Sequence, residues 1–184
     1  QSPRPYSVFM DIYGAMGRMH MREFGTTQRQ FAAVSAKNHA HSVHNALAQY
    51  RDAYSIEQIL AAPPITYPLT LPMCSPVSDG AAAALVCNEA GLKALQGLRS
   101  RAMRVLGCAL QTGSDRDAVD LEHHLVRVAA RNLYAQAGIG PQDVSVAEVH
   151  DATAIGEILQ SELLGLVPIG QGGLAAERGE TTIG

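Results

Sequence analysis

His150 and Asp151 stand at the junction of two hydrophobic periodicities. Residues 144–149 (VSVAEV) are a short, β-branched apolar run, preceded by the turn signal Gly138-Ile139-Gly140-Pro141. That is the pattern of a strand buried in a parallel sheet. The period then changes: Ile155, Ile158, Leu159, Leu163 and Leu166 recur at spacings of three and four, one face of a helix. An imidazole and a carboxylate therefore sit where a strand gives way to a helix. Open α/β sheets collect their ligands at the carboxyl ends of strands. Imidazole titrates near neutral pH and can donate a hydrogen bond, so His150 is the leading candidate; its plain alternative is a half-buried histidine bonded to backbone.

Other residue sets offer less. His39, His41 and His44 (NHAHSVHN) invite a metal reading. Residues i and i+2 of a helix point apart, and no Cys, Asp or Glu completes a set at ligand spacing, so a solvated helical surface without a metal is expected. Cys87 falls in a predicted strand and Cys108 in an apolar run, where cysteine behaves as a small inert hydrophobe. Cys74 lies in a turn context and reads as the more exposed of the three, with no polarising neighbour. His123 and His124 open a helix and read as exposed. Gly170, Gly172 and Gly173 (GQGG) lack the lysine of a phosphate loop and read as a mobile turn. The acidic run Asp115, Asp117 and Asp120 reads as helix capping, favoured by the helix dipole, rather than as a metal site.

The elements that must position these residues follow from local signals. Phe9, Ile12, Tyr13, Met16 and Met19 repeat at helical spacing, and Gly25 closes that helix. Thr27 with Gln30, and Ser55 with Gln58, are capping-box signatures for two further helices, the second ending before Pro63-Pro64. Pro63, Pro64, Pro68 and Pro72 make an extended passage. Residues 81–87 and 104–110 read as strands, 89–96 as a helical turn, and the stripe Leu121, Leu125, Val128, Ala129 and Leu133 as a helix ended by Gly138. From residue 101 on, the order is strand, helix, strand, helix, a βαβ pattern with a right-handed crossover expected.

At 184 residues, 47% hydrophobic and 17% charged, the chain has the composition of a layered globular protein. A net charge of −3 provides no basic face for nucleic acid, and no apolar run approaches the roughly 20 residues that span a bilayer. Three cysteines without a CxxC pair, and no signal-peptide pattern, point to a reducing, cytoplasmic compartment. The chain starts at Gln1 and stops at Gly184 with no closing element, which reads as part of a longer polypeptide.

Four stretches, in order, resemble the thiolase superfamily, specifically its sterol carrier protein X-type branch: MREFGTTQRQFAAVSAKNHAHSVHN, CSPVSDGAAAALV, EVHDA and ELLGLVPIGQGGLAAERGETTIG. The resemblance covers nearly the whole chain. It implies an α/β, five-layer αβαβα fold, only partly represented. Residues 1–70 resemble the loop domain, 71–100 the end of the first half and 101–184 the start of the second. It further implies an acyltransferase that uses coenzyme A as substrate, with no permanently bound cofactor, assembled as a dimer or tetramer and possibly with a small accessory protein. By resemblance, His150 contributes to the oxyanion hole for the thioester carbonyl, and Ser75 touches the pantetheine arm; an ordinary turn bond is the alternative for Ser75. The family's nucleophilic cysteine, its Gly-His-Pro histidine and its second cysteine match nothing here. Thr153 stands where the family usually has Phe, which changes the pocket wall. Two rival functions remain open: an aldolase acting on a sterol side-chain thioester, and a non-catalytic acyl-coenzyme A or lipid binder.

Overall fold

The computed structural model describes residues 7–183. The first three helices form where their local signals lie. Helix α1 (Val8–Phe24) starts at Ser7, whose Oγ accepts the Phe9 N–H at 3.2 Å, and ends at Gly25 with φ 73°, a left-handed conformation that costs glycine no Cβ clash. Helix α2 (Gln28–Ser42) carries a complete capping box: the Gln30 N–H reaches Thr27 Oγ1, and the Thr27 N–H reaches Gln30 Oε1 at 3.0 Å. Helix α3 (Ile56–Ala61) repeats this with Ser55 and Gln58. Each box satisfies two backbone donors that a helix start otherwise leaves bare.

The proline-rich passage does more than extend. Strands β1 (Pro64–Thr66) and β2 (Leu69–Thr70) pair antiparallel, with a cis Tyr67–Pro68 peptide between them. Beyond this hairpin come α4 (Glu89–Ala94), α5 (Leu125–Ala137), α6 (Ala154–Leu163) and α7 (Gly172–Glu177).

One core joins the two ends of the sequence. Phe31, Ala32 and Val34 of α2, Ile59 of α3, and Leu69 and Met73 pack with Leu121, with Ile155, Ile158 and Leu163 of α6, and with Ala176 of α7. Full burial of a Leu, Ile or Phe side chain is worth about 1.5–3 kcal/mol, so α6 is the chief contributor. It is buried on nearly every side, not on a single stripe, and Leu166 lies past its end and is partly exposed.

Helix α1 uses its predicted stripe in part: Tyr13, Met16 and Met19 pack against the core. Phe9 and Ile12 of its predicted apolar stripe are exposed, and the buried positions are Gly14, Gly17 and His20. A Cβ on Gly14 would come within 2.7 Å of Thr66 Cγ2, and one on Gly17 within 3.0 Å of Pro68 Cγ. The glycines let the helix backbone lie directly on the β1–β2 hairpin, a contact that a hydrophobicity pattern does not register.

The strands expected at 81–87, 104–110 and 144–149 are not formed. These segments have no regular secondary structure, and Leu85, Val86, Val105, Leu110 and Val146 are exposed. Among the described residues the one sheet is the β1–β2 pair. A strand exists only through the ladder it shares with a neighbour, and an alternating or β-branched run without that neighbour stays an unpaired segment. The GQGG segment also departs from expectation. It is no mobile turn: Gly172 and Gly173 are buried in the first turn of α7 against Ile158, Glu162, Thr26 and Gln30. No helix among the described residues is long and apolar enough to cross a membrane.

Candidate functional site

A cleft of about 260 Å³ opens where α2, the segment 72–76 and the start of α6 converge. Asn38 and His39 line it from α2, Cys74 and Ser75 from the segment after the hairpin, and Asp151 and Thr153 from the approach to α6. Two backbone contacts hold the last two segments together. The Ser75 N–H donates to Ala152 O at 3.0 Å, and Cys74 and Thr153 form an isolated antiparallel bridge.

The segment 72–76 is in turn fastened to α2. Pro72 O accepts from Ser35 Oγ at 2.6 Å and from His39 Nε2 at 3.3 Å. A carbonyl only accepts, so Nε2 carries the proton, and in the neutral ring Nδ1 is left with its lone pair. The His39 ring also meets Tyr54 edge-on, centroids 4.9 Å apart. Below the cleft, Glu157 of α6 accepts from Lys37 Nζ and, at 2.7 Å, from Asn38 Nδ2 of α2. This ion pair is almost wholly shielded from solvent, with side chains 10% and 11% exposed. Such a pair holds two helices in register, because removing either member strands the other charge.

Gly156 sets the path of the residues before α6. A Cβ there would lie 3.3 Å from Asp151 Cα and 3.5 Å from His150 O. Without one, the chain turns closely over the first turn of α6 and brings Asp151 and Thr153 into the cleft wall.

Ser75 lines the cleft, as the positioning of its segment requires. His150 is exposed and lies next to the lining residue Asp151, not among the lining residues themselves. The segment carrying His150 and the one carrying Ser75 thus meet through the Ser75–Ala152 backbone bond. Cys74 reverses its expectation. It is the half-buried cysteine, and Cys87 and Cys108 are the exposed ones. Burial pushes the Cys74 thiol up to about 11, and its Sγ donates to Thr70 O at 3.7 Å. A thiol so held is protonated near neutral pH and is a poor nucleophile.

The histidine cluster divides. His39 belongs to the cleft wall and not to a solvated surface, His41 Nε2 accepts the Ile183 N–H at 3.4 Å, and His44 is exposed. His124 is half-buried rather than exposed: its Nδ1 accepts the Val126 N–H at 3.2 Å as the N-cap of α5, and burial, then the charge of Arg116, lower its pKa. The cap expected from the acidic run is therefore supplied by a histidine. Asp120 instead accepts from the His123 backbone and ring, one turn earlier.

Pattern reading missed His39 as a wall residue, Thr153 as a buried hydroxyl, and Gly156 and Glu157 as supports. A lysine and a glutamate far apart in sequence carry no local mark of pairing. Gly156, inside a helical pattern, was the one available signal, since glycine there usually has a packing reason.

Residues 107–184 match the family described as "Thiolase C-terminal domain-like". Sterol carrier protein 2 of Rattus norvegicus is 37% identical over 179 residues, covering 94% of this chain and 32% of the relative. An acetyl-CoA acetyltransferase of Methanothermobacter thermautotrophicus is 36% identical over 180 residues, covering 96% of this chain and 46% of the relative. Among solved structures, the Ltp2-ChsH2(DUF35) aldolase superposes with a TM-score of 0.70 at 22% identity, over 90% of this chain and 45% of that one. The chain thus spans between a third and a half of the length of these proteins.

Proposed function

Because the chain belongs to the thiolase superfamily and shares its α/β fold, in the branch of the sterol carrier protein 2 relatives, we propose that it serves acyl transfer on coenzyme A thioesters. The observation that carries this is the convergence of Ser75 and the 150–154 segment on one cleft, held by the Ser75–Ala152 bond and the Cys74–Thr153 bridge. In this reading the pantetheine arm runs past Ser75 and brings its thioester to the approach to α6. His150, beside the cleft, donates an N–H to the carbonyl oxygen as negative charge develops there. A donor that meets the oxyanion chiefly in the transition state lowers the barrier by about 3–4 kcal/mol. Cys74 takes no nucleophilic part, since its thiol is buried and protonated. The acyl-accepting cysteine is supplied from outside the residues 1–184. Assembly as a dimer or tetramer, with or without a small accessory protein, belongs to the same proposal.

The test is steady-state thiolysis of a 3-ketoacyl-coenzyme A by the full-length protein. His150→Ala should lower kcat and kcat/KM together by about 10²–10³, and His150→Asn should restore part of this, because Asn still donates. Unchanged kcat in a folded His150→Ala protein would return the residue to a structural role.

A further inference from the structure

Three successive residues of α2 fasten both walls of the cleft. His39 donates to Pro72 O at 3.3 Å and so holds the segment that carries Ser75. Lys37 and Asn38 hold the opposite wall. Lys37 Nζ donates to Glu157 Oε1, and Asn38 Nδ2 donates to Glu157 Oε2 at 2.7 Å. Both oxygens of one shielded carboxylate are thus taken by neighbouring side chains of α2, 120 and 119 residues away in the chain.

Glu157 belongs to the first turn of α6, directly after the approach that carries His150, Asp151 and Thr153. That turn lies close on the approach. The Gly156 and Glu157 N–H groups donate to Thr153 O at 2.8 and 3.4 Å, and a Cβ on Gly156 would lie against Asp151 Cα and His150 O. A shift of the turn therefore carries residues 150–153 with it. The apolar contacts between α2 and α6 are non-directional, whereas charge-assisted bonds to a carboxylate fix direction as well as distance. Stability alone does not call for charges here, because a buried ion pair is often replaced by uncharged side chains of similar volume at no cost.

We propose that Glu157 is a positioning residue for the thioester site. Gripped by Lys37 and Asn38, it sets the first turn of α6 and, through Gly156, the backbone at 150–153, so that His150 meets the carbonyl oxygen. This rests on the oxyanion reading of His150. Glu157 itself touches no reacting atom and acts through His150.

Steady-state thiolysis of a 3-ketoacyl-coenzyme A by the full-length protein, with thermal melts alongside, tests this. Lys37→Met combined with Glu157→Gln removes both charges at once and strands neither, so the double variant should melt within a few degrees of the wild type. Its kcat should nevertheless fall about ten- to a hundredfold, the effect of a misplacement of about 1 Å, with KM within about twofold. Lys37→Arg, which keeps the ion pair, should retain kcat. In a His150→Ala background the double change should cost nothing further, because the group it positions is already gone. Wild-type kcat in the double variant, or a loss that multiplies with that of His150→Ala, overturns the positioning role while the oxyanion reading stands. A double variant that melts far below the wild type would show that the fold itself requires the pair, and overturns the role as well. Unchanged kcat in His150→Ala overturns the oxyanion reading and the positioning role with it.

Discussion

Cys74 shows how position, not residue type, decides whether a thiol is reactive. It borders the cleft, where a nucleophile would be useful, yet burial raises its pKa from 9.0 to about 11. At pH 8 it therefore carries roughly a hundredfold less thiolate than an unperturbed cysteine. Alkylation with iodoacetamide, followed site by site by mass spectrometry, should modify exposed Cys87 and Cys108 well before Cys74. Equal rates would show that Cys74 is open to solvent. The raised pKa also fixes a sign for stability. The fold favours the protonated thiol, so its contribution is complete below about pH 9 and is lost as the pH rises toward about 11, because the unfolded chain gives up its proton first.

At the scale of elements, the starts of α5 and α6 are built by unlike means. Helix α5 begins on His124, whose ring must stay neutral to accept the Val126 N–H. Burial and then Arg116 lower its pKa, so the fold prefers the neutral ring and the unfolded chain protonates first as pH falls. The stability it confers is present above the ordinary histidine pKa of 6.5 and is lost below it. His124→Asn should keep a cap and remove that pH dependence, and His124→Ala should cost about 1 kcal/mol at pH 7.5. Urea melts at pH 7.5 and 5.5 decide it; an unaltered pH dependence in His124→Asn would place the titration elsewhere. Helix α6, by contrast, starts on a threonine whose hydroxyl makes no capping bond and is held by packing on α2. The contrast explains what was legible in the sequence. Capping boxes at Thr27 and Ser55, and the closing glycines Gly25 and Gly138, are local statements about four or five residues, and they read correctly. The segments 81–87, 104–110 and 144–149 needed distant neighbours to become strands, and pattern alone cannot supply a ladder. The candidate site was legible in part. Ser75 and Thr153, both singled out by their motifs, line the cleft, whereas His39 gained its place only through the packing of α2 on α6.

Across the whole molecule, a buried polar chain does what the hydrophobic core does less specifically. His20 of α1 is hydrogen-bonded through Nδ1 to Thr26 Oγ1 at 2.7 Å and through Nε2 to Glu162 Oε2 of α6 at 3.1 Å. The other carboxylate oxygen of Glu162 accepts the Gly172 N–H of α7 at 2.8 Å. Both the His20 and Glu162 side chains are fully buried, 142 residues apart in sequence. Apolar contacts would tolerate a small slide of α1 or α7 along α6, but these directional bonds do not, and Gly172 admits no Cβ beside Glu162 Oε1, 2.9 Å away. Removing one member leaves buried groups with nothing to bond, a loss of about 3–5 kcal/mol for a buried pair. Glu162→Ala should therefore destabilise the 184-residue chain by about that amount in urea denaturation, and His20→Ala by a similar amount. The double variant should cost clearly less than the sum, because each single change already spoils the same contact. Glu162→Gln, which keeps an acceptor for Gly172, should fall between. Additive losses in the double variant would mean that the two side chains stabilise the fold independently and that α1 and α7 are registered on α6 by apolar packing instead.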